Sequence, residues 1–234
     1  MCGIVGYTGK QSVAKQILDA LELLEYRGYD SAGMAIVDEK NGQVQIRKRA
    51  GRVADLEKVW KANPVNGTCG IGHTRWATHG GVSDVNAHPH RAGRVTLVHN
   101  GIIENYEELK DHFGLADELI SDTDTEVVAA VLNRFYTGDP HEALFQTVKC
   151  LKGTFALVVI FDDIPDVIFA IRNVSPIVAA YREDGTMLAS DVAALGGQAT
   201  SYMVVPEYHV VELHTDDIRV YNMKNELCEA EFLD

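Results

Sequence analysis

Cysteine is scarce in this chain, and its spacing excludes two common kinds of small-domain scaffold. The 234-residue sequence has only four cysteines (Cys2, Cys69, Cys150 and Cys228), and no two of them form a Cys-x-x-Cys pair. Disulfide frameworks and zinc knuckles both need numerous or closely spaced cysteines. The N-terminus also lacks a basic stretch followed by an apolar one, so it does not look like a signal peptide. We therefore expect a reducing, cytoplasmic setting.

Positive charge is also in short supply. Lys and Arg number 21 against 34 Asp and Glu, which leaves a formal net charge of −13. Nucleic acids and anionic membranes attract basic surfaces. No apolar run approaches the ~20 residues that a membrane-spanning helix needs. We expect no nucleic-acid partner and no membrane association.

No linker rich in Pro, Gly or Ser divides the chain, so we expect residues 1–234 to form one domain. Apolar residues at helical spacing predict helices over 13–24, 53–62, 105–113, 124–136 and 140–151. Apolar and β-branched runs predict strands at 2–7, 32–37, 44–49, 69–73, 95–99, 154–161, 167–171, 177–181, 187–189, 209–213 and 218–221. Asn41-Gly42 and Asp184-Gly185 indicate hairpins. Helices flanked by groups of strands suggest a layered α+β domain.

Cys2 directly follows the initiator methionine, which is usually removed before a small residue. Removal would leave a thiol and a free α-amino group on one residue. The α-amino group has a reference pKa of ~7.7–8.0, which suits a general base for the thiol. An inert cysteine is the alternative that position alone leaves open.

Two polar segments follow predicted buried strands. In His73-Thr74-Arg75-Trp76-Ala77-Thr78-His79-Gly80, the Arg is suited to clamp a carboxylate and the Trp to cover a pocket. An internal salt bridge and a core tryptophan are the alternative. The whole stretch from 74 to 94 reads as a long structureless loop, a type of segment that is usually functional.

The second segment contains Asn100 and Gly101, directly after the predicted strand that ends at His99. Asn-Gly often marks a plain turn. A side-chain N–H and a backbone N–H at one point also make an oxyanion hole, in which each donor is worth ~10²–10³ in kcat.

Acidic and histidine-rich stretches give weaker signals. Asp122 and Asp124 open a predicted helix, where an acid is normally a cap, although either could reach a ligand ammonium. Five of the nine histidines lie between His73 and His99. They carry no zinc-binding pattern apart from His88-Pro89-His90, which the rigid proline makes a poor chelator, so we expect no metal and no cofactor.

Together these stretches resemble the glutaminase domain of glucosamine-6-phosphate synthases, which are class II glutamine amidotransferases of the N-terminal nucleophile superfamily. The resemblance rests on six motifs in the family's order: CGIVGY from Cys2, LEYRGYDSAG from Leu24, HTRWATHG from His73, NAHPH from Asn86, LVHNGIIENYEEL from Leu97 and SDTDTEV from Ser121. It continues more loosely through LKGTFALVVI and ASDVAAL, and so spans nearly the whole chain. The fold it implies is a four-layer αββα sandwich, two antiparallel sheets between helical layers.

The resemblance also implies residue roles. Cys2 would attack the side-chain amide of L-glutamine to give a thioester, with its α-amino group shuttling the proton. The other implied roles are an oxyanion hole from Asn100 and Gly101, glutamine binding by Arg75, Trp76, Thr78, His88 and Asp124, and positioning of the nucleophile by Arg27. Thr78 and His88 would line or close the pocket. Trp76 would belong to a mobile loop that gates ammonia.

The family's full-length enzymes continue into sugar-isomerase domains that aminate fructose-6-phosphate, whereas this sequence stops at Asp234. The implied partner is such an acceptor domain, normally in the same chain. A homodimer is the oligomeric state that the resemblance leaves open. Two stretches depart from the family pattern, at 172–176, where Val174 replaces the usual Gly, and at 204–208. We expect both to lie away from the site.

Two other functions stay open at this point. One is an N-terminal nucleophile hydrolase acting on a different amide. The other is a glutamine-binding or ammonia-donor subunit that does not turn glutamine over by itself.

Overall fold

The structure is a computed structural model, and it describes residues 2–234. The predicted removal of Met1 concerns a residue outside that range. No helix within the described residues is long and apolar enough to cross a membrane.

Residues 2–234 contain fourteen strands and five α-helices. The strands in chain order are β1 Gly3–Gly9, β2 Ser31–Val37, β3 Val44–Ala50, β4 Cys69–Arg75, β5 His90–Ala92, β6 Val95–Ile103, β7 Gly153–Phe161, β8 Ile164–Asn173, β9 Val178–Arg182, β10 Gly185–Ala189, β11 Ala199–Val204, β12 Val210–His214, β13 Asp217–Tyr221 and β14 Leu227–Cys228. The helices are α1 Val13–Leu23, α2 Val53–Ala62, α3 Tyr106–His112, α4 Asp124–Phe135 and α5 Pro140–Cys150. Short 3₁₀ turns cover Glu25–Arg27 and Val192–Leu195.

The strands form two seven-stranded sheets. The first has the order β11-β9-β10-β1-β4-β2-β3, and the second has the order β14-β13-β12-β8-β7-β6-β5. Every pairing among the named strands is antiparallel. Side chains such as Ile4, Val98 and Ile168 fill the space between the sheets.

Helices cover the outer face of each sheet. The apolar stripe of α1, with Val13, Ile17 and Leu21, packs on the first sheet together with Leu56 of α2. Helices α3, α4 and α5 cover the second sheet. An apolar stripe at helical spacing has to be buried, and the outer sheet faces are where these helices bury it. The predicted α+β, four-layer αββα sandwich is confirmed.

Local chemistry sets the helix starts. Thr123 caps α4, because its hydroxyl accepts the N–H of Glu126 at 3.2 Å. Asp139 caps α5 in the same way through Glu142, and Pro140 occupies the first turn, where its missing N–H costs nothing. The helix starts predicted from sequence are within one residue of those observed.

The strands that carry polar residues are longer than their apolar runs predict. β4 continues to Arg75 and β6 to Ile103, so Arg75, Asn100 and Gly101 lie inside strands rather than after them. The 74–94 segment, predicted to be structureless, also contains β5. Both extensions follow from backbone pairing, since Ser31 pairs with Arg75 and Phe155 pairs with Gly101 across the ladders.

This topology brings three chain segments to one place. β1 and β4 are antiparallel neighbours, with Gly3 opposite Thr74, so the start of β1 lies beside the end of β4. The polar end of β6, in the second sheet, meets them across the sandwich, where the Asn100 side chain reaches the Cys2 carbonyl. Cys2, Trp76 and Asn100 therefore converge although they are far apart in sequence.

Candidate active site

A cavity of about 310 Å³ opens at the point where these three segments meet. Its lining residues are Cys2, Arg27, Trp76, Thr78, Asn100, Gly101, Ile102, Thr154, Ser175 and Pro176. A larger depression of about 580 Å³ lies beside Arg182 and Asp184, but no thiol lines it. Another cavity has Cys228 in its lining, whereas the cavity at Cys2 combines a thiol with the Asn100 amide.

The Cys2 thiol is half-buried and sits against the backbone of Trp76. The N–H of Trp76 donates to Sγ at 3.2 Å, and Sγ lies 3.5 Å from the Trp76 carbonyl oxygen. Burial raises the pKa of the Cys2 thiol, although the Trp76 N–H works in the opposite direction. A thiol with a raised pKa needs a base to become the thiolate that attacks.

The Cys2 carbonyl oxygen is held from two sides. Arg27 Nε donates to it at 3.0 Å, and Asn100 Nδ2 donates at 3.1 Å. Arg27 is itself paired with Asp191, with Nη1 3.1 Å from Oδ2. Arg27 thus holds the Cys2 peptide, and its positioning role stays a prediction.

Gly28 brings the Glu25–Arg27 turn against the Trp76 segment. A Cβ at Gly28 would lie 2.9 Å from both the Arg75 carbonyl carbon and the Trp76 nitrogen. Asp30 fixes the same segment further along, since Ala77 N donates to its Oδ2 at 3.0 Å. These contacts explain why an Arg, an Asp and a Gly crowd together after the first helix.

Asn100 and Gly101 are neighbours on β6, and both line the cavity together with Cys2. Gly101 has a φ of 124°, and a Cβ there would lie 2.1 Å from the Thr154 carbonyl oxygen, so only glycine fits. Next to it, the N–H of Ile102 donates to the Thr154 hydroxyl at 3.2 Å. The strand is irregular at the point where an oxyanion hole is predicted.

Arg75 is almost fully buried and lies beneath the 79–81 turn. Its Nη1 donates to the Gly81 carbonyl at 3.1 Å, and its Nη2 donates to Gly80 at 3.2 Å and to the His79 carbonyl. Neither the internal salt bridge nor an open carboxylate clamp describes this arrangement. Arg75 does not line the cavity in this structure, and its guanidinium holds the turn that follows Trp76 and Thr78.

Asp124 is also buried, at the start of α4. Its Oδ2 accepts the N–H of Ile103 at 2.9 Å, which ties the helix to the end of β6. Burial lowers the pKa of the Arg75 guanidinium, and the negative charge of Asp124 acts in the opposite direction. The two predicted charge-binding residues are thus near each other behind the cavity wall.

Trp76, Thr78 and His88 differ in their exposure. Trp76 and Thr78 line the cavity, and the Trp76 side chain is 48 % exposed, so it is not a core residue. His88 is buried behind the wall, where its ring stacks on His73 at 4.0 Å between centroids. His88 does not line the cavity in this structure, and its expected part in closing the pocket stays a prediction.

Sequence reasoning missed four lining residues, Ile102, Thr154, Ser175 and Pro176, and one contact, that of His73 with Asn100. Ser175 and Pro176 line the cavity, so the expectation that the 172–176 stretch lies away from the site is wrong. Both residues lie in the connection from β8 in the second sheet to β9 in the first, and no local pattern reveals where that connection runs. Thr154 and the buried His73 were missed because each reads as an ordinary strand residue.

Four buried histidines lie close together behind Asn100, and burial favours their neutral form. Burial lowers the pKa values of His73, His88, His90 and His99. Across residues 2–234, no group of three or more His, Cys, Asp or Glu side chains is arranged to hold a metal ion. The cluster packs behind Asn100 as part of the wall.

Comparison with known proteins shows which family the chain belongs to. A family described as "Glutamine amidotransferase domain" matches residues 35–233. Glutamine–fructose-6-phosphate aminotransferase (isomerizing) from Clostridium acetobutylicum is 40 % identical over 234 residues, 99 % of this chain and 38 % of that protein. The enzyme of the same name from Streptomyces coelicolor is 46 % identical over 226 residues, 94 % of this chain and 36 % of that protein. The chain thus spans well under half the length of these curated relatives.

Solved structures show the same fold at low sequence identity. Glutamine phosphoribosylpyrophosphate amidotransferase from B. subtilis has a TM-score of 0.80 at 21 % identity, covering 97 % of this chain and 50 % of that one. A glutamine aminotransferase class-II domain protein from Silicibacter pomeroyi has a TM-score of 0.65 at 16 % identity, covering 94 % of this chain and 99 % of that one. The family match covers most of the sequence, and the chain belongs to the glutamine amidotransferase domain family.

Proposed function

We propose that this domain hydrolyses the side-chain amide of L-glutamine through a thioester on Cys2. The observation that carries the proposal is the convergence of the Cys2 thiol, the Asn100 amide and Gly101 on one cavity. Acyl transfer needs a nucleophile and two donors at a single point, and these residues supply that set. Membership of the glutamine amidotransferase domain family supports glutamine as the amide.

The proposed reaction balances with the chain's own groups. Once Met1 has been removed, the Cys2 α-amine takes the thiol proton, and the thiolate attacks the amide carbon. The Asn100 and Gly101 N–H groups stabilise the oxyanion. As the C–N bond breaks, the α-ammonium returns the proton to the leaving nitrogen, and ammonia departs. Water then attacks the thioester with the α-amine as base, which releases glutamate and restores the thiol.

Substrate recognition is proposed to use Arg75 for the α-carboxylate and Asp124 for the α-ammonium. A carboxylate is a stronger partner for a guanidinium than the three backbone carbonyls that Arg75 now contacts. Glutamine would therefore compete for Arg75 with the 79–81 turn, and the turn would move with Trp76 and Thr78 to close the cavity. This coupling gives Trp76 its proposed place in a gating loop.

The aminosugar pathway is proposed from the relatives alone. The printed name of the matched relatives is glutamine–fructose-6-phosphate aminotransferase, and the match covers 38 % of the Clostridium protein. The proposed partner is an acceptor domain that takes ammonia onto fructose-6-phosphate, and the cytoplasm is the proposed location. Assembly as a homodimer remains an untested prediction.

Replacement of the nucleophile tests the proposed chemistry. We expect Cys2→Ala to lower kcat for glutamate and ammonia release by at least about 10³-fold, because no other thiol lines the cavity. Cys228→Ala is the matched control, since Cys228 is a half-buried cysteine that does not line this cavity, and it should leave kcat unchanged. A Cys2→Ala protein with wild-type activity would contradict the proposal that Cys2 is the nucleophile.

Replacement of Asp124 tests the proposed substrate. Wild-type protein should prefer free glutamine over Nα-acetylglutamine, which lacks the ammonium charge. Asp124→Asn should shrink that preference about 10-fold or more by raising KM for glutamine. Glu118→Gln, on the surface, should leave the preference as it is. Equal turnover of both compounds by the wild type would favour a hydrolase for another amide.

A further inference from the structure

A histidine lies directly behind the proposed oxyanion donor. His73, on β4, is fully buried, and its Nε2 is 3.0 Å from the side-chain oxygen of Asn100 and 3.0 Å from the backbone oxygen of His99. His99 and Asn100 are neighbours on β6. One ring nitrogen therefore touches the main chain and the side chain at the same point of that strand.

These contacts determine where the His73 ring proton lies. A backbone carbonyl oxygen only accepts hydrogen bonds, so Nε2 must carry the proton and donate to His99. The other ring nitrogen, Nδ1, has no hydrogen-bond partner among the described residues. A second proton there would be a buried, unpaired donor, which is costly. Burial accordingly lowers the pKa of His73 to about 3, and the ring is neutral throughout the working pH range.

The same contacts determine the orientation of the Asn100 amide. Its Nδ2 donates to the Cys2 carbonyl at 3.1 Å, and its Oδ1 faces the His73 N–H. Rotating the amide by half a turn would place Oδ1 against the Cys2 oxygen and Nδ2 against the His73 donor. Both new pairs would repel, so the amide nitrogen is held toward the nucleophile.

The His73 ring is itself fixed. It stacks on His88 with an interplanar angle of 16°, and His88 Nδ1 accepts the N–H of His99 at 3.3 Å. Lys48 anchors the segment around His88, since its ammonium donates to the carbonyls of Val85, Ala87 and Pro89. A ring held on this many sides can impose an orientation on its neighbour.

From this geometry we infer that His73 is a positioning residue of the glutaminase reaction, which keeps the Asn100 amide nitrogen aimed at the oxyanion through a neutral Nε2–H. The inference rests on the proposed function, because it gives Asn100 the oxyanion role. His73 acts only through Asn100 and touches no substrate atom.

Replacing His73 by Gln or by Asn tests the Nε2 donor separately from the rest of the ring. The amide nitrogen of Gln reaches about as far as Nε2, whereas that of Asn reaches only about as far as Nδ1. We expect His73→Asn to lower kcat by ~10²-fold, similar to the loss of one oxyanion donor, with KM changed less than about threefold. His73→Gln should restore kcat to within about tenfold of wild type, because it donates to the same two oxygens.

A double-mutant cycle with Asn100 supplies the decisive readout. If His73 acts through Asn100, His73→Asn should lower kcat little further in an Asn100→Ala background. Multiplicative losses in the double variant would contradict the inference, as would wild-type kcat in His73→Asn. If His73→Asn does not fold, the Gln variant still decides, since a folded His73→Gln with less than a tenth of wild-type kcat overturns the inference.

Two controls separate this inference from the proposed function. The rate of Cys2 alkylation by iodoacetamide, which passes through no oxyanion, should stay within about threefold of wild type in the folded variants. A tenfold slower alkylation would mean that the ring supports the nucleophile rather than Asn100, and would contradict the inference. A wild-type protein without glutaminase activity contradicts the proposed function instead.

Discussion

At the scale of single residues, the backbone of Val174 is strained beside the cavity. Its φ is 67°, a left-handed value that β-branched residues seldom adopt, and its side chain is 61 % exposed. The Glu207 carboxylate accepts the Val174 N–H at 3.1 Å and pairs with Arg172 Nη1 at 3.4 Å. The clasp by Glu207 and Arg172 therefore holds in place the loop that presents Ser175 and Pro176 to the cavity.

Relief of that strain should be measurable. A left-handed non-glycine residue costs roughly 1–2 kcal/mol, and glycine adds ~0.5–1 kcal/mol of unfolded-state entropy. Val174→Gly should therefore raise the free energy of unfolding, by up to about 1 kcal/mol, because the side chain packs on little and the N–H to Glu207 remains. Urea denaturation checks this. Val192→Gly, at an exposed valine with no left-handed φ, should instead lose about 0.5–1 kcal/mol. Equal losses at both sites would contradict the account of strain.

Single residues also show what sequence reasoning could reach. Cys2, Arg27, Trp76, Thr78, Asn100 and Gly101 were singled out from sequence, and the structure brings all six to one cavity. Their chemistry is local, so motifs reveal it. His73 and Ser175 were missed because their importance lies in which distant residue they face, and spacing along the chain carries no such information.

At the scale of elements, a cluster of two histidines and a glutamate joins helix α5 to strand β12. His141 Nε2 lies 2.7 Å from Glu212 Oε1, and His214 Nε2 lies 2.8 Å from Glu212 Oε2. His141 Nδ1 faces the Asn225 side-chain oxygen at 2.5 Å. Both ring nitrogens of His141 thus face acceptors, an arrangement that favours the doubly protonated ring.

This cluster should make stability depend on pH. Burial opposes the charged ring, but the hydrogen bonds to Glu212 and Asn225 and the charge of Asp139 prevail and raise the pKa of His141. A raised folded-state pKa stabilises fully below the unfolded value of ~6.5 and loses that stabilisation as pH rises through the folded value. Hydrogen bonds from His141 and His214 lower the pKa of Glu212 despite its burial, so its own contribution is lost only in acid.

His141→Gln should be destabilised by roughly 1–2 kcal/mol at pH 6 and by clearly less at pH 9, because Gln carries no charge to lose. Urea denaturation at the two pH values measures the gap from wild type. His112→Gln, at an exposed position on α3, should show the same small gap at both. A His141→Gln gap that is equal at pH 6 and pH 9 would contradict a charged His141.

The sequence predicted element boundaries well where a local pattern of side chains determines them. The helices follow their apolar spacing and caps, which are local. Strand β11 was missed, since its burial does not alternate cleanly and it is the edge of its sheet. β4 and β6 were cut short because their polar ends are held by neighbouring strands rather than by their own hydrophobicity.

At the scale of the whole molecule, the apolar side chains packed between the two sheets hold the two halves of the site together. Cys2 directly precedes β1 of the first sheet and Asn100 lies on β6 of the second, so the distance between them depends on how the sheets pack. Ile168 of β8 is fully buried in that layer. Strand order across the two sheets could not be derived from sequence patterns, and only the resemblance to a known family supplied the sandwich.

The packed layer should unfold as a unit. We expect one cooperative urea transition, with circular dichroism and tryptophan fluorescence coinciding, as one domain over residues 2–234 requires. Ile168→Ala should cost about 3 kcal/mol, as a large-to-small change in a closed core does. Val204→Ala, at a valine that is 53 % exposed, should cost less than about 0.5 kcal/mol. Two separated transitions in the wild type would contradict a single domain.

Cys2 is proposed to be an N-terminal nucleophile that acts on glutamine. Intact mass of the purified protein, before and after the electrophilic glutamine analogue 6-diazo-5-oxo-L-norleucine, tests it most directly. We expect a protein without Met1 that gains one covalent adduct, mapped by peptide analysis to Cys2 and suppressed by excess glutamine. A Met1-free protein that takes no adduct, or takes it at Cys69, Cys150 or Cys228, would contradict it.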